Sequence, residues 1–156
     1  IAPRIADELS ALDPQGRPTY EANAKDFVER LDALDAELRD TLAPAKGKPV
    51  ILFHPSLCYL IERYGLHYAG VVEPYPGKTP SPKYVQELTE RFQNLGVTAL
   101  FVEPQLSRRP AEVLAKEVKG LDVQIHELDP IGGVEDRMTY FELIRYNADV
   151  LARALQ

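Results

Sequence analysis

A single cysteine, Cys58, among 156 residues excludes an internal disulfide, so cysteine usage does not report the redox compartment. No apolar run approaches the roughly 18 residues that a bilayer-spanning helix needs. Positive charge is also scarce. Lys and Arg number 18 against 24 Asp and Glu, a net charge of −6, and the longest basic cluster is the pair Arg108-Arg109. Phosphate backbones are held by basic faces, so no nucleic-acid partner is expected. An acidic balance is compatible with cation binding, but it is common among soluble proteins that bind no metal. Also missing are a Gly-x-Ser-x-Gly elbow, a phosphate-binding glycine-rich loop and a dinucleotide fingerprint; Gly132-Gly133 is only a glycine pair. Nor is there an initiator methionine or signal peptide. Ile1 opens into a helical pattern already under way, and the expectation is a fragment or processed product whose start says nothing of location.

What remains is ordinary for a globular chain: 45% apolar and 27% charged residues, enough for one domain with a core. No internal repeat or low-complexity tract is evident. The first third reads as helix. A segment through Leu12 breaks at Asp13-Pro14-Gln15-Gly16, and a long helix is predicted from Thr19, a candidate N-cap, to about Leu42. Phe27, Leu31, Leu34, Leu38 and Leu42 recur at steps of three and four, one stripe of that helix. A helix of about 24 residues would reach roughly 36 Å, long for a piece of a compact α/β unit. It is expected to be a strut along something larger.

Pro44-Ala45-Lys46-Gly47-Lys48 marks a boundary, after which four apolar runs alternate with helical patterns. The runs are 49–53, 68–72, 98–102 and 123–126. Helices are predicted near Leu57–Tyr64, Pro82–Asn94, Ala111–Lys119 and Thr139–Leu155, with Ser81-Pro82 and Arg109-Pro110 as starts and Gly96 and Gly120 as stops. Near-continuous apolar strands separated by helices predict an α/β fold, a four-stranded parallel sheet with helices on both faces, preceded by the long helix. The expected organisation is residues 1–17 as the end of a preceding helical segment, 18–44 as a connecting helix and 45–156 as an α/β lobe.

Ligands of open parallel sheets bind beyond the carboxyl ends of the strands. His54 follows the first run, Glu73 the second, Glu103 the third, and Glu127 and Asp129 the fourth. Every strand therefore ends in a possible metal ligand. Each also has a plainer explanation. A histidine after a strand is more often a hydrogen-bonded turn residue, Asp before Pro is a common turn former, and the carboxylates of Glu73-Pro74 and Glu103-Pro104 could cap helices. Cys58 lies four residues after His54, but Leu57, Leu60 and Ile61 surround it and favour a small core residue over a nucleophile. His67 and His126 read as structural.

Four ordered segments together resemble one family. They are Phe53-His54-Pro55-Ser56-Leu57-Cys58-Tyr59-Leu60 with Arg63-Tyr64-Gly65-Leu66, then Pro80-Ser81-Pro82, then Ala99-Leu100-Phe101-Val102-Glu103-Pro104-Gln105, and finally Leu128-Asp129-Pro130 with Gly132-Gly133 and Arg145-Tyr146-Asn147. Their order and spacing are similar to the C-terminal lobe of the solute-binding proteins that feed zinc and manganese ABC transporters. Ala6-Asp7-Glu8-Leu9 through Tyr20-Glu21-Ala22-Asn23 resembles the approach to that family's long connecting helix.

The resemblance implies two α/β lobes joined by a rigid helix, with the metal between them. It implies His54 and Asp129 as this chain's metal ligands, with Glu103, Arg145 and Asn147 supporting them. The expected cargo is Zn(II), with Mn(II) possible, weakly held or absent in this lobe alone. The expected partners are a missing N-terminal lobe and a membrane ABC permease, on the extracytoplasmic side, and no enzymatic activity. One departure is Pro55-Ser56-Leu57 where the family usually has Asp-Ala-Phe; proline in a first helical turn is well tolerated. The competing readings are a self-contained hydrolase-type α/β enzyme using His54, Glu103 and Asp129, and an interaction module whose long helix docks a partner.

Overall fold

A computed structural model describes residues 1–75, 77–78 and 80–156. The chain divides into two compact units, Ile1–Asp40 and Thr41–Gln156. Helices α1 (Ala2–Leu12) and α2 (Arg17–Leu42) make up the first, the last two residues of α2 being counted with the second. Between them, the Asp13 carboxylate accepts hydrogen bonds from the Tyr20 hydroxyl and the Gln15 amide. The α2 start differs from the sequence expectation. The Gly16 carbonyl accepts from the amides of Thr19 and Tyr20, so Thr19 lies inside the first turn and is not the cap. Pro18 sits in that turn, where a missing N–H costs nothing.

Among the described residues of the second unit, four strands form one parallel sheet: β1 (Pro49–Leu52), β2 (His67–Val71), β3 (Ala99–Val102) and β4 (Gln124–Glu127). Their order is β2-β1-β3-β4. The linking helices are α3 (Cys58–Arg63), α4 (Pro82–Leu95) and α5 (Arg109–Glu117), and α6 (Tyr140–Ala154) ends the unit. β1 crosses to β2 in one direction and β2 to β3 in the other. Crossovers between parallel strands are right-handed, so α3 and α4 fall on opposite faces. Ile51, Phe53, Leu100 and Val102 point to the face covered by Leu88 and Phe92 of α4 and Ala111 and Leu114 of α5. The alternate residues Val50, Leu52 and Phe101 are also buried, as are Ile61 of α3 and Ala148 and Leu151 of α6. Strands buried on both faces are what the near-continuous apolar runs encode.

Local punctuation explains the boundaries. Ser81 caps α4 through its hydroxyl, which accepts from the Tyr84 amide, and Gly96 ends it in the left-handed region at φ 63°. Thr139 and Glu142 form a reciprocal capping box at the start of α6. A 3-10 turn over Pro55–Leu57 delays α3, so Cys58 is its first residue and is only half-buried, less enclosed than its apolar neighbours suggested.

Candidate metal centre

Connections leave β1 and β3 in opposite directions, which makes the crevice between their carboxyl ends the switch point of this sheet. His54 and Glu103 meet there. Backbone pairing continues past the strands, with the Phe53 amide donating to the Phe101 carbonyl at 2.7 Å and the Glu73 amide to the Phe53 carbonyl at 2.8 Å. This brings the residues that follow β2, β1 and β3 into one row. His54 is in the middle, 8% exposed, with the edge of its ring against Phe53.

Both imidazole nitrogens are engaged. Nδ1 lies 2.9 Å from Glu103 Oε2, and Nε2 lies 3.1 Å from Glu73 Oε2. Glu103, itself buried, accepts a further bond from the Ser56 hydroxyl on its other oxygen at 2.8 Å. The hydroxyl that accompanies Pro55 thus fixes the carboxylate that fixes the histidine.

Asp129, 1% exposed, follows β4. Its two oxygens have different duties. Oδ1 accepts from the amides of Ile131 and Gly132, both at 3.0 Å, and from the Gln105 side chain at 2.8 Å. Oδ2 lies 3.4 Å from Arg137 Nε, a contact too poorly aligned to count as a hydrogen bond. Burial by itself raises this carboxyl's pKa. The Gly132 and Ile131 amides, Gln105 and the Arg137 charge outweigh it, and the net shift is downward. Asp129 therefore stays a carboxylate. Its backbone is held by Asn147 of α6, which accepts from the Asp129 amide and donates to its carbonyl, both at 2.7 Å.

Of the residues singled out from sequence, the structure ties Glu103 to His54 and Asn147 to Asp129. Arg145 is exposed on α6. The cation that meets Asp129 is Arg137, from a 3-10 turn over Glu135–Arg137, stacked 4.2 Å above the Tyr146 ring. Nothing in the sequence pattern marked Arg137. Glu73 was visible as a strand-end carboxylate, but its contact with His54 depends on β2 lying beside β1. His67 is exposed at the start of β2, and His126 stacks on Phe101 within β4.

The donor chemistry suits a divalent cation: an imidazole oriented by a carboxylate, as metal-bound histidines are, and a carboxylate with one lightly used oxygen. Among the described residues, no group of three or more His, Cys, Asp and Glu side chains is gathered to hold a metal by itself.

The sequence model for the periplasmic zinc-uptake complex component A, ZnuA, matches residues 1–154. The chain belongs to the ZnuA family. It is 34% identical over 157 residues to the high-affinity zinc uptake system protein ZnuA of Brucella abortus (strain 2308), covering 99% of this chain and 46% of that protein. It is 28% identical to the manganese ABC transporter substrate-binding lipoprotein PsaA of Streptococcus mitis, covering 99% and 51%. A crystal structure of ZnuA superposes with a TM-score of 0.80 at 30% identity, over 97% of this chain and 54% of that one. A Zn(II)-bound variant of AdcAII from Streptococcus pneumoniae gives 0.83 at 29%, over 99% and 56%. The chain thus spans about half the length of the curated relatives it matches. The ZnuA family is one of solute-binding proteins, and its α/β fold is the one described above.

Proposed function

We propose that this chain is the metal-holding C-terminal lobe of an extracytoplasmic solute-binding protein that captures Zn(II), or Mn(II), and delivers it to a membrane ABC permease. The observation that carries this is the pair of prepared donors at the strand ends. His54 presents Nε2 while Glu103 holds Nδ1, and Asp129 presents Oδ2 while Oδ1 is tied to Gln105 and two amides. The relatives, a zinc uptake protein and a manganese transporter's substrate-binding lipoprotein among them, support the choice of cargo.

In this reading the metal is cargo and no bond is made or broken, so the protein is no enzyme. His54 supplies nitrogen and Asp129 oxygen, and a second lobe of the same protein supplies the remaining ligands. Imidazole-rich sets favour zinc, and carboxylates keep manganese in play. Because the Asp129 backbone is clamped by α6 and its Oδ1 by the following turn, the carboxylate meets the ion without reorganising. Arg137 neutralises Oδ2 until a cation displaces it.

Competitive Zn(II) titration of the full-length protein tests this. His54→Ala and Asp129→Ala should each weaken binding well beyond the about 10–100-fold typical of losing an outer partner. Wild-type affinity in both variants would refute the assignment.

A further inference from the structure

The two oxygens of Asp129 are unequally used, and Arg137 faces the less used one. Oδ1 accepts three hydrogen bonds, from Gln105, Ile131 and Gly132. Oδ2 has Arg137 Nε at 3.4 Å. That Nε is buried and makes no hydrogen bond. Buried donors without a partner are rare in folded proteins, and each needs a reason. Arginine and carboxylate ordinarily meet through short, aligned, often paired bonds. Here the charge is brought to the oxygen and the bond is withheld. We propose that Arg137 is a tethered counter-ion that competes with the cargo ion for Asp129 Oδ2, and so sets how tightly the ion is held and how fast it leaves. The inference rests on the metal-site reading above and adds to it a competitor supplied by the chain itself.

The local structure suits a side chain that swings on a fixed base. The turn is closed by its own backbone: the Arg137 amide donates to the Val134 carbonyl at 2.8 Å, and the Gly133 amide to the Arg137 carbonyl at 3.0 Å. The guanidinium rests 4.2 Å above the Tyr146 ring, an attraction that holds the charge without fixing an in-plane bond. The Arg137 side chain is 18% exposed against 2% for Asp129, so the arginine reaches water while the carboxylate stays behind. Leaving Oδ2 therefore breaks no hydrogen bond of Nε and moves no backbone.

This arrangement acts on both binding and release. With Arg137 in place the buried carboxylate is neutralised before the ion arrives. An arriving dication must displace that charge and then bind with it close by, and both effects lower affinity. On release the guanidinium returns to Oδ2 and opposes rebinding. Two unit charges about 4 Å apart attract by an amount worth about fivefold in affinity in water and several-hundredfold at the effective dielectric near a protein surface, so about 10–100-fold is expected here.

The test uses the full-length protein, competitive Zn(II) titration, and stopped-flow transfer of Zn(II) to a chelator. Arg137→Gln and Arg137→Met both remove the charge, and Met keeps an unbranched apolar arm over Tyr146. Both should bind Zn(II) about 10–100-fold more tightly and release it more slowly, while the Tm of the metal-free protein falls by a few degrees. A merely structural role would lower Tm without tightening binding. In an Asp129→Ala background, Arg137→Gln should change affinity by less than about threefold, because the group it acts on is gone. Unchanged or weaker Zn(II) binding in both Arg137 variants, with Asp129→Ala still defective, would overturn the inference and leave the metal-site reading standing. Equal tightening with and without Asp129 would also overturn it, making Arg137 a source of general repulsion. Wild-type affinity in Asp129→Ala would bring down both.

Discussion

Asn147→Ala isolates the clamp that sets Asp129. The side chain is 0% exposed and makes two 2.7 Å hydrogen bonds, accepting from the Asp129 amide and donating to its carbonyl. Truncation leaves both backbone groups buried and unpaired. Each such group costs about 1–3 kcal/mol, giving about 4 kcal/mol for the two at mid-range. A water entering the vacated polar space recovers part of that, so about 3 kcal/mol is the expected net loss. Against a typical total of about 5–15 kcal/mol this is a large fraction. Urea unfolding followed by far-UV circular dichroism should show a lower midpoint at an unchanged slope, and Tm should fall by about 10 °C at about 2–4 °C per kcal/mol. Asn147→Asp is the companion. It keeps the acceptor but sets a carboxylate oxygen against the Asp129 carbonyl, so it should lose at least as much at neutral pH. An Asn147→Ala protein within about 0.5 kcal/mol of wild type, the range of ordinary surface changes, would refute the reasoning.

Gly132 has φ 72°, and a Cβ there would lie 2.6 Å from the Arg137 carbonyl oxygen, whereas Gly133, at φ 85°, has open space. Gly132→Ala should therefore destabilise by more than the about 1–2 kcal/mol of a left-handed residue, and Gly133→Ala by about that alone; equal losses in denaturation would contradict the clash. Thr139→Ala removes one half of the α6 capping box and should cost about 1 kcal/mol by the same assay. Burial lowers the His126 pKa below 6.5, so the folded state disfavours its charged form. The unfolded chain then binds more protons in that window, and stability present above about pH 6.5 is lost as pH falls through the folded value. His126→Asn should flatten the stability–pH curve there; an unaltered slope would show that the shift is absent.

The strands were legible because each is a short apolar run closed by Gly or Pro, and each predicted run lies within one residue of its observed bounds. Helix starts were legible where a side chain does the capping, as at Ser81, and illegible where a carbonyl does, as at Gly16, which displaced the expected cap at Thr19. Cys58 is half-buried at the first position of α3, after a 3-10 turn, where its apolar neighbours suggested a core residue. The candidate site was half legible. Parallel strands must end at one edge, so His54, Glu73, Glu103 and Asp129 could be gathered from sequence. Which of them touch depends on strand order. In the order β2-β1-β3-β4, β1 lies inside the sheet between β2 and β3, so Glu73 and Glu103 stand on the two sides of His54. Arg137 arrives through an irregular segment after two glycines, where no periodicity applies.

The central claim is that His54 and Asp129 hold the cargo ion. A crystal structure of the full-length protein grown with zinc, with anomalous data across the zinc absorption edge, tests it most directly. One strong peak is expected about 2.0–2.2 Å from both His54 Nε2 and Asp129 Oδ2, with Arg137 moved off the aspartate. A zinc peak bound elsewhere, with the His54 and Asp129 contacts unchanged, would contradict it.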